Sequence, residues 1–230
     1  MIIFNNLGHC FKVSADDSPI VWVDAQDATS YTLSGSDVLT LDNKGSLGGA
    51  MTLVGSVKFA NNGFESLSTS DYITRDLGEP FLNTNSFTIA TTFDLKNVSP
   101  RNWFSGFGTD TNNRIEFLKD TNNTMSNYVN SSGSNVTLNP AYNIGIQTII
   151  SSYDLSSNSI TLLVYNQNQT FNSITFNSVA DADIFLLRGW FFNASSGANN
   201  PLHEFRLYDR AFDLTEMQNL QTELNNKYTP

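Results

Sequence analysis

Apolar and polar residues alternate with a period of two through most of the chain, the signature of strands half-buried on one face. "SFTIATTFDL" (Ser86–Leu95) sets Phe87, Ile89, Thr91 and Phe93 on one side. "RIEFLKD" (Arg114–Asp120) sets Ile115, Phe117 and Lys119 against Arg114, Glu116 and Leu118. "QTIISSYDL" (Gln147–Leu155), "ITLLVYN" (Ile160–Asn166), "QTFNSITF" (Gln169–Phe176) and "DIFLLRG" (Asp183–Gly189) continue the pattern. Clusters rich in Asn, Ser and Gly separate these runs, at Asp120, Asn130, Ser156 and Asn166. Asn suits turns because it tolerates left-handed backbone and bonds its own main chain. "TNNTMSNYVNSSGSNVTLN" reads as two short strands about a loop, through Met125 and Tyr128, then Val136 and Leu138. Strands spaced about 8–12 residues apart with such turns predict an all-β fold, an antiparallel β-sandwich.

The tail changes period. In "HEFRLYD" Phe205 and Leu207 face one way, while Glu204, Arg206 and Tyr208 face the other. Asp213 then stands at an N-cap position with Glu216 three residues on, a capping box, and Phe212 and Met217 are placed to form a hydrophobic staple. Leu214, Met217, Leu220 and Leu224 line one helical face. One amphipathic C-terminal helix is predicted from Leu214 to about Asn226, packed on an end or edge of the sandwich.

Composition narrows the classes. The 230 residues suit one large sandwich or two small domains. Only 15% of them are charged, against roughly 25% in an average domain. Asn, Ser and Thr fill the difference, which points to an extracellular or virion surface. A net charge of −10 disfavours nucleic acid and anionic membrane as partners. Cys10 is the single cysteine, so no disulfide closes within the chain. Its neighbour His9 points to the opposite face of a strand and makes no dyad with it. "MIIFNNLGHCFKVSADD" lacks the basic start and apolar run of a signal peptide, and no stretch approaches about 18 apolar residues. A soluble protein is expected, reaching the outside by a route such as assembly into a virus particle.

The segment "EFRLYDRAF", the Asp213 cap and Glu216 resemble the close of LamG-like jelly-roll domains in the concanavalin A-like lectin and glucanase superfamily. "PIVWVDAQDATSY" (Pro19–Tyr31) and "VLTLDNKGSLGGAMTLVGSVKFANNGFESLSTSDYI" (Val38–Ile73) are similar to that family's opening, with Leu41 where Trp is usual. The resemblance implies one jelly roll over residues 19–230, its first and last strands adjacent and the helix a clasp. Residues 1–18 fall outside it, as an N-terminal arm or first strand able to dock on a neighbour.

The superfamily's polysaccharide-cutting members carry E-x-D-x-E carboxylates on one strand. No Glu of this chain has an Asp two residues on. Glu116 with Arg114, and Glu204 with Arg206, read as surface ion pairs, and His203 as a cap or flank of the last strand. No catalytic residue is assigned. No cofactor is required. Calcium, which superfamily members often bind, has weak candidate ligands in Asp110, Asn112, Asp120 and Asn122, with ordinary turn residues as the competing reading. For a glycan, Trp103 with Asn102, and Trp190 with Asn193, Asn199 and Asn200, offer an aromatic platform ringed by amides, with core aromatics as the competing reading. Trp22 reads as core.

Three functions follow. The first is a non-catalytic, lectin-like module on a virus-particle surface, a phage head decoration or a tail or fibre part, contacting other virion proteins and weakly a host glycan. Trimers or larger rings are usual for such parts. The alternative is a carbohydrate-binding or adhesion domain at a bacterial cell surface or outside the cell. The third is a glycoside hydrolase with an unfamiliar acid pair.

Overall fold

The computed structural model describes residues 2–4, 10–12, 18–66, 68, 70–95, 102–110, 112–119, 125–131, 134–138, 144–177, 179–188 and 200–228. In chain order the elements are β1 (Ile2–Phe4), β2 (Cys10–Lys12), β3 (Val21–Asp24), β4 (Tyr31–Ser34), β5 (Asp37–Leu41), β6 (Thr52–Val54) and β7 (Val57–Ala60). There follow β8 (Gly63–Ser66), β9 (Tyr72–Asp76), β10 (Phe87–Leu95), β11 (Asn102–Asp110), β12 (Asn113–Lys119) and β13 (Met125–Ser131). The chain closes with β14 (Ser134–Leu138), β15 (Gly145–Asp154), β16 (Ser159–Val164), β17 (Gln167–Asn172), β18 (Asp183–Leu186), β19 (Leu202–Tyr208) and α1 (Leu214–Tyr228).

Two antiparallel sheets form a sandwich. The ten-stranded sheet runs β17-β16-β15-β10-β19-β8-β7-β5-β4, with β3 also paired to β19. The seven-stranded sheet runs β14-β13-β12-β11-β18-β9-β6. β1 and β2 pair with each other as a separate ribbon. The adjacency of first and last sandwich strands is realised in the β3–β19 pairing.

Alternation sorts side chains as the sequence predicts. Phe87, Ile89 and Phe93 of β10 and Phe205 and Leu207 of β19 point inward, against Phe107, Ile115, Phe117 and Ile184 of the other sheet. Phe87 and Phe107 meet edge to face with centroids 5.3 Å apart. Full burial of each such ring contributes roughly 1.5–3 kcal/mol. Polar links also join the layers: the Thr91 and Ser105 hydroxyls lie 2.8 Å apart, and Ser151 donates to Asn127 Oδ1 at 2.8 Å.

Some boundaries shift. β17 ends at Asn172 because Ser173 takes a left-handed φ of 60°, although Ile174 and Phe176 still reach the core. β18 ends at Leu186, before Leu187 at φ 67°.

The helix does not sit at an end or edge of the sandwich. It lies on the outer face of the ten-stranded sheet, where Met217, Leu220 and Leu224 bury Ala90, Ile150, Leu163 and Tyr208. Those positions alternate with the inward Ile89, Ile149, Leu162 and Leu207, so both faces of these strands are covered. Gln221 donates to the Thr148 carbonyl at 2.8 Å, and the Thr88 and Ser152 hydroxyls meet the Phe212 backbone. The capping box forms: Asp213 Oδ1 accepts from Glu216 N at 2.8 Å, and Glu216 Oε2 accepts from Asp213 N at 2.9 Å. Phe212 packs on the same cluster as Met217. Glu216 in the first turn and Lys227 in the last oppose the helix dipole.

Candidate functional site

The ten-stranded sheet forks at β19. Leu207 to Glu204 pair with Val21 to Asp24 of β3, while Leu202 pairs with Phe64 of β8. His203 stands at the fork. On its other side β10 pairs Thr92 with Glu204 and Phe93 with Leu202, which leaves His203 as the extra residue of a β-bulge. A bulge breaks alternation and re-aims a side chain. His203 and Glu204, consecutive in sequence, therefore both meet Tyr228 at the helix end. The His203 ring stacks on the Tyr228 ring at 4.9 Å, and the Tyr228 hydroxyl lies 2.6 Å from Glu204 Oε2. His203 is thus within the strand rather than capping or flanking it. Its Nδ1 lies 2.9 Å from the Asn62 carbonyl, which can only accept, so Nδ1 carries the proton there.

β7 and β8 supply the neighbouring rim. Ala60 pairs with Gly63 across a two-residue turn whose Asn61 and Asn62 have φ of 52° and 60°. Two successive positive φ values define a type I′ hairpin, which Asn accepts at small steric cost. Both Asn residues are exposed. Gly63 permits the close approach of β8 to β19: a Cβ there would stand 2.6 Å from Pro201 Cβ and 2.9 Å from the Leu202 carbonyl oxygen.

The fork opens into a cleft of about 630 Å³. Two aromatic pairs line it, Tyr31 with Phe59 and His203 with Tyr228. Tyr31 and Phe59 stack with centroids 5.0 Å apart and rest edge-on against Phe64. Ala25, Gln26, Asn61, Asn62, Asp94 and Ile146 complete the lining. Apolar ring surface beside directional amide and carboxylate groups suits a ligand with an apolar face edged by hydroxyls.

Below the cleft a charged network ties β3, β19 and α1. Asp24 and Glu204 stand opposite each other on paired strands, an arrangement unfavourable for two bare like charges. Lys227 Nζ bridges them, 2.9 Å from Asp24 Oδ2 and 2.6 Å from Glu204 Oε2. Lys44 adds contacts to Asp24 at 3.2 Å and Asp27 at 2.7 Å, and Arg206 pairs with Glu204 and Glu223. Burial pushes the Asp24 carboxyl up, but the Lys227 and Tyr228 bonds and the Lys227 charge outweigh it and hold it below the usual carboxylate range. Burial, then the Glu204 charge, pushes the Tyr228 phenol far up, so it stays protonated. Both acids are buried and neutralised, and neither lines the cleft. They form a structural clasp.

Several sequence readings are corrected here. Trp22 is not core. It lies half-buried outside the inner layer between Lys44 and Arg206, 4.0 and 5.1 Å from its ring centroid, and its Nε1–H donates to Glu204 at 2.7 Å. The Glu204–Arg206 and Glu116–Arg114 ion pairs form, but neither is a surface pair: Glu204 is 1% exposed and Glu116 0%.

The side chains of most of the sequence-predicted site residues lie outside the described residues. Asn102 and Trp103 begin β11, and their side chains lie outside the described residues. Trp190, Asn193 and Asn199 lie wholly outside them, as do Asp120 and Asn122. Asn200 is buried. Asp110 closes the β11–β12 turn, accepting from Asn112 N at 2.7 Å and Asn113 Nδ2 at 3.0 Å. No group of three or more acids, His or Cys poised for a metal occurs among the described residues.

Fold and cleft together define an antiparallel β-sandwich with a recess lined by aromatic and amide residues. No protein-family model matches the chain, and no curated protein matches it. Among solved structures, the binding domain of botulinum neurotoxin serotype D is similar over 90% of this chain and 52% of that one, with a TM-score of 0.64 and 10% identity. A botulinum neurotoxin type C structure, described as showing cell entry dependent on two ganglioside molecules, matches over 91% and 52%, at a TM-score of 0.62 and 12% identity. Trypanosoma rangeli sialidase in complex with sialic acid matches over 99% and 36%, at 0.64 and 11%. The chain therefore spans about half of the toxin binding domains and about a third of the sialidase. At such identities the likeness is one of fold, and the expected resemblance holds at the level of the β-sandwich.

Proposed function

We propose that this chain is a non-catalytic carbohydrate-recognition module, working at a cell surface or outside the cell, with the fork cleft as its binding site. The observation that carries the reading is the cleft itself, where the partly exposed rings of Tyr31 and Phe59 stand beside Gln26, Asn61 and Asn62, over the buried His203–Tyr228 stack. A pyranose ring offers the matching surface, a C–H face edged by hydroxyls. The fold shared with a botulinum neurotoxin type C structure, whose cell entry is described as dependent upon interaction with two ganglioside molecules, supports the same direction. The non-catalytic reading is supported by Asp24 and Glu204, facing acids among the described residues, being held by Lys227 and Arg206 instead of confronting the cleft. The virus-particle setting draws no support from the toxin and sialidase structures.

Calorimetric titration with a panel of oligosaccharides tests the proposal. Binding by the wild type that falls at least ten-fold in Tyr31→Ala and Asn62→Ala, with folding retained by circular dichroism, is the expected result. Undiminished binding in both variants would move the site elsewhere.

A further inference from the structure

Resting on the recognition reading, we infer that the cleft selects neutral saccharides carrying a vicinal diol and excludes sialylated ones, with Asp94 as the specificity-determining residue. Asp94, the penultimate residue of β10, lies half-buried at the cleft wall, and it makes no ion pair among the described residues. Among the described residues no Lys or Arg lines the cleft. The cations behind it are committed: Lys227 to Asp24 and Glu204, Lys44 to Asp24 and Asp27, and Arg206 to Glu204 and Glu223.

A sialic acid carboxylate needs a cationic or strongly donating partner, and Arg is the usual choice for holding a carboxylate by two parallel bonds. Here it would meet Asp94, in a molecule of net charge −10. Like charges at such range repel enough to weaken binding roughly ten-fold. A neutral pyranose reverses the balance. The two oxygens of one carboxylate accept from two adjacent hydroxyls, charge-assisted bonds stronger than neutral ones. The amides of Asn61, Asn62 and Gln26 both donate and accept, as sugar hydroxyls do. The same fold thus carries opposite charge selectivity from that of the sialidase solved with sialic acid.

The test compares lactose, cellobiose, chitobiose and mannobiose with 3′-sialyllactose, by titration of wild type, Asp94→Asn and Asp94→Glu. Asp94 is partly exposed and outside the core, so both variants retain the fold, checked by thermal melts. The inference expects at least one neutral disaccharide to bind the wild type, roughly ten-fold weaker binding in Asp94→Asn, and recovery in Asp94→Glu. 3′-Sialyllactose binds the wild type roughly ten-fold more weakly than the neutral sugars, and gains relative to them in Asp94→Asn. Preferential binding of 3′-sialyllactose would overturn the inference and leave the recognition reading standing. Neutral binding untouched by Asp94→Asn would remove Asp94 as the selector. No binding of any sugar would overturn both.

Discussion

The Tyr228 hydroxyl lies 2.6 Å from Glu204 Oε2 and 2.9 Å from Asp24 Oδ1, so the end of the helix closes on the first and last strands of the sandwich at one atom. One phenolic proton serves two buried carboxylates, and the high proton affinity of the phenol keeps that proton in place. Tyr228→Phe keeps the ring stack on His203 but removes the donor. A loss of about 1–3 kcal/mol in unfolding free energy is expected, the cost of leaving buried acceptors under-satisfied. Urea unfolding measures it.

The same clasp sets an acid limit. Asp24 titrates below the 3.8 of a free side chain. The unfolded chain takes up its proton first as pH falls. The Asp24 contribution is therefore complete above the unfolded value and is lost as pH drops through the lower folded value. Between about pH 5 and pH 2 the urea midpoint of the wild type should fall more steeply than that of Asp24→Asn, which is less stable at neutral pH and lacks this titration. Parallel curves would remove Asp24 from the clasp.

Helix docking depends on its cap. Asp213→Ala opens the capping box and should cost about 1 kcal/mol. Glu216→Ala breaks the reciprocal bond to Asp213 N and also the Arg210 contact at 2.9 Å. A double-mutant cycle should show the two losses to be less than additive, because each bond loses value once the other is gone.

Gly63 sets the width of the fork. Gly63→Ala drives a methyl into Pro201 and the Leu202 carbonyl, and backbone cannot yield as a flexible side chain can. A destabilisation of about 1–3 kcal/mol is expected, together with weaker sugar binding as the cleft distorts. Unchanged stability would mean that β8 and β19 lie farther apart than the fork requires.

The layers of the sandwich were legible because period two is a direct consequence of the pleat. Phe87, Ile89 and Phe93 point inward as their spacing requires, and the Asp213–Glu216 box starts the helix where it was read. The docking of the helix was written in the sequence too, in a signal read past. Ile149-Ile150 and Leu162-Leu163 break alternation with adjacent apolar pairs, and strands covered on both faces do this. Trp22 followed the same rule, since Val21 and Val23 on either side of it point inward. The cleft was not legible. Tyr31, Phe59, Asp94, His203 and Tyr228 come from five elements scattered along the chain, and the bulge at His203 cancels the alternation that would have aimed it. Trp103 and Trp190 stand near Asn residues in the sequence, a local pattern, whereas this recess is assembled entirely by topology.

The central claim is that the fork cleft is where a saccharide binds. Amide chemical-shift mapping during titration with a bound neutral oligosaccharide tests it most directly. The predicted result is perturbation concentrated at the side-chain amides of Gln26, Asn61 and Asn62 and at the backbone of Tyr31, Asp94 and His203. Perturbation confined to β11 and β12, with these positions unmoved, would contradict it.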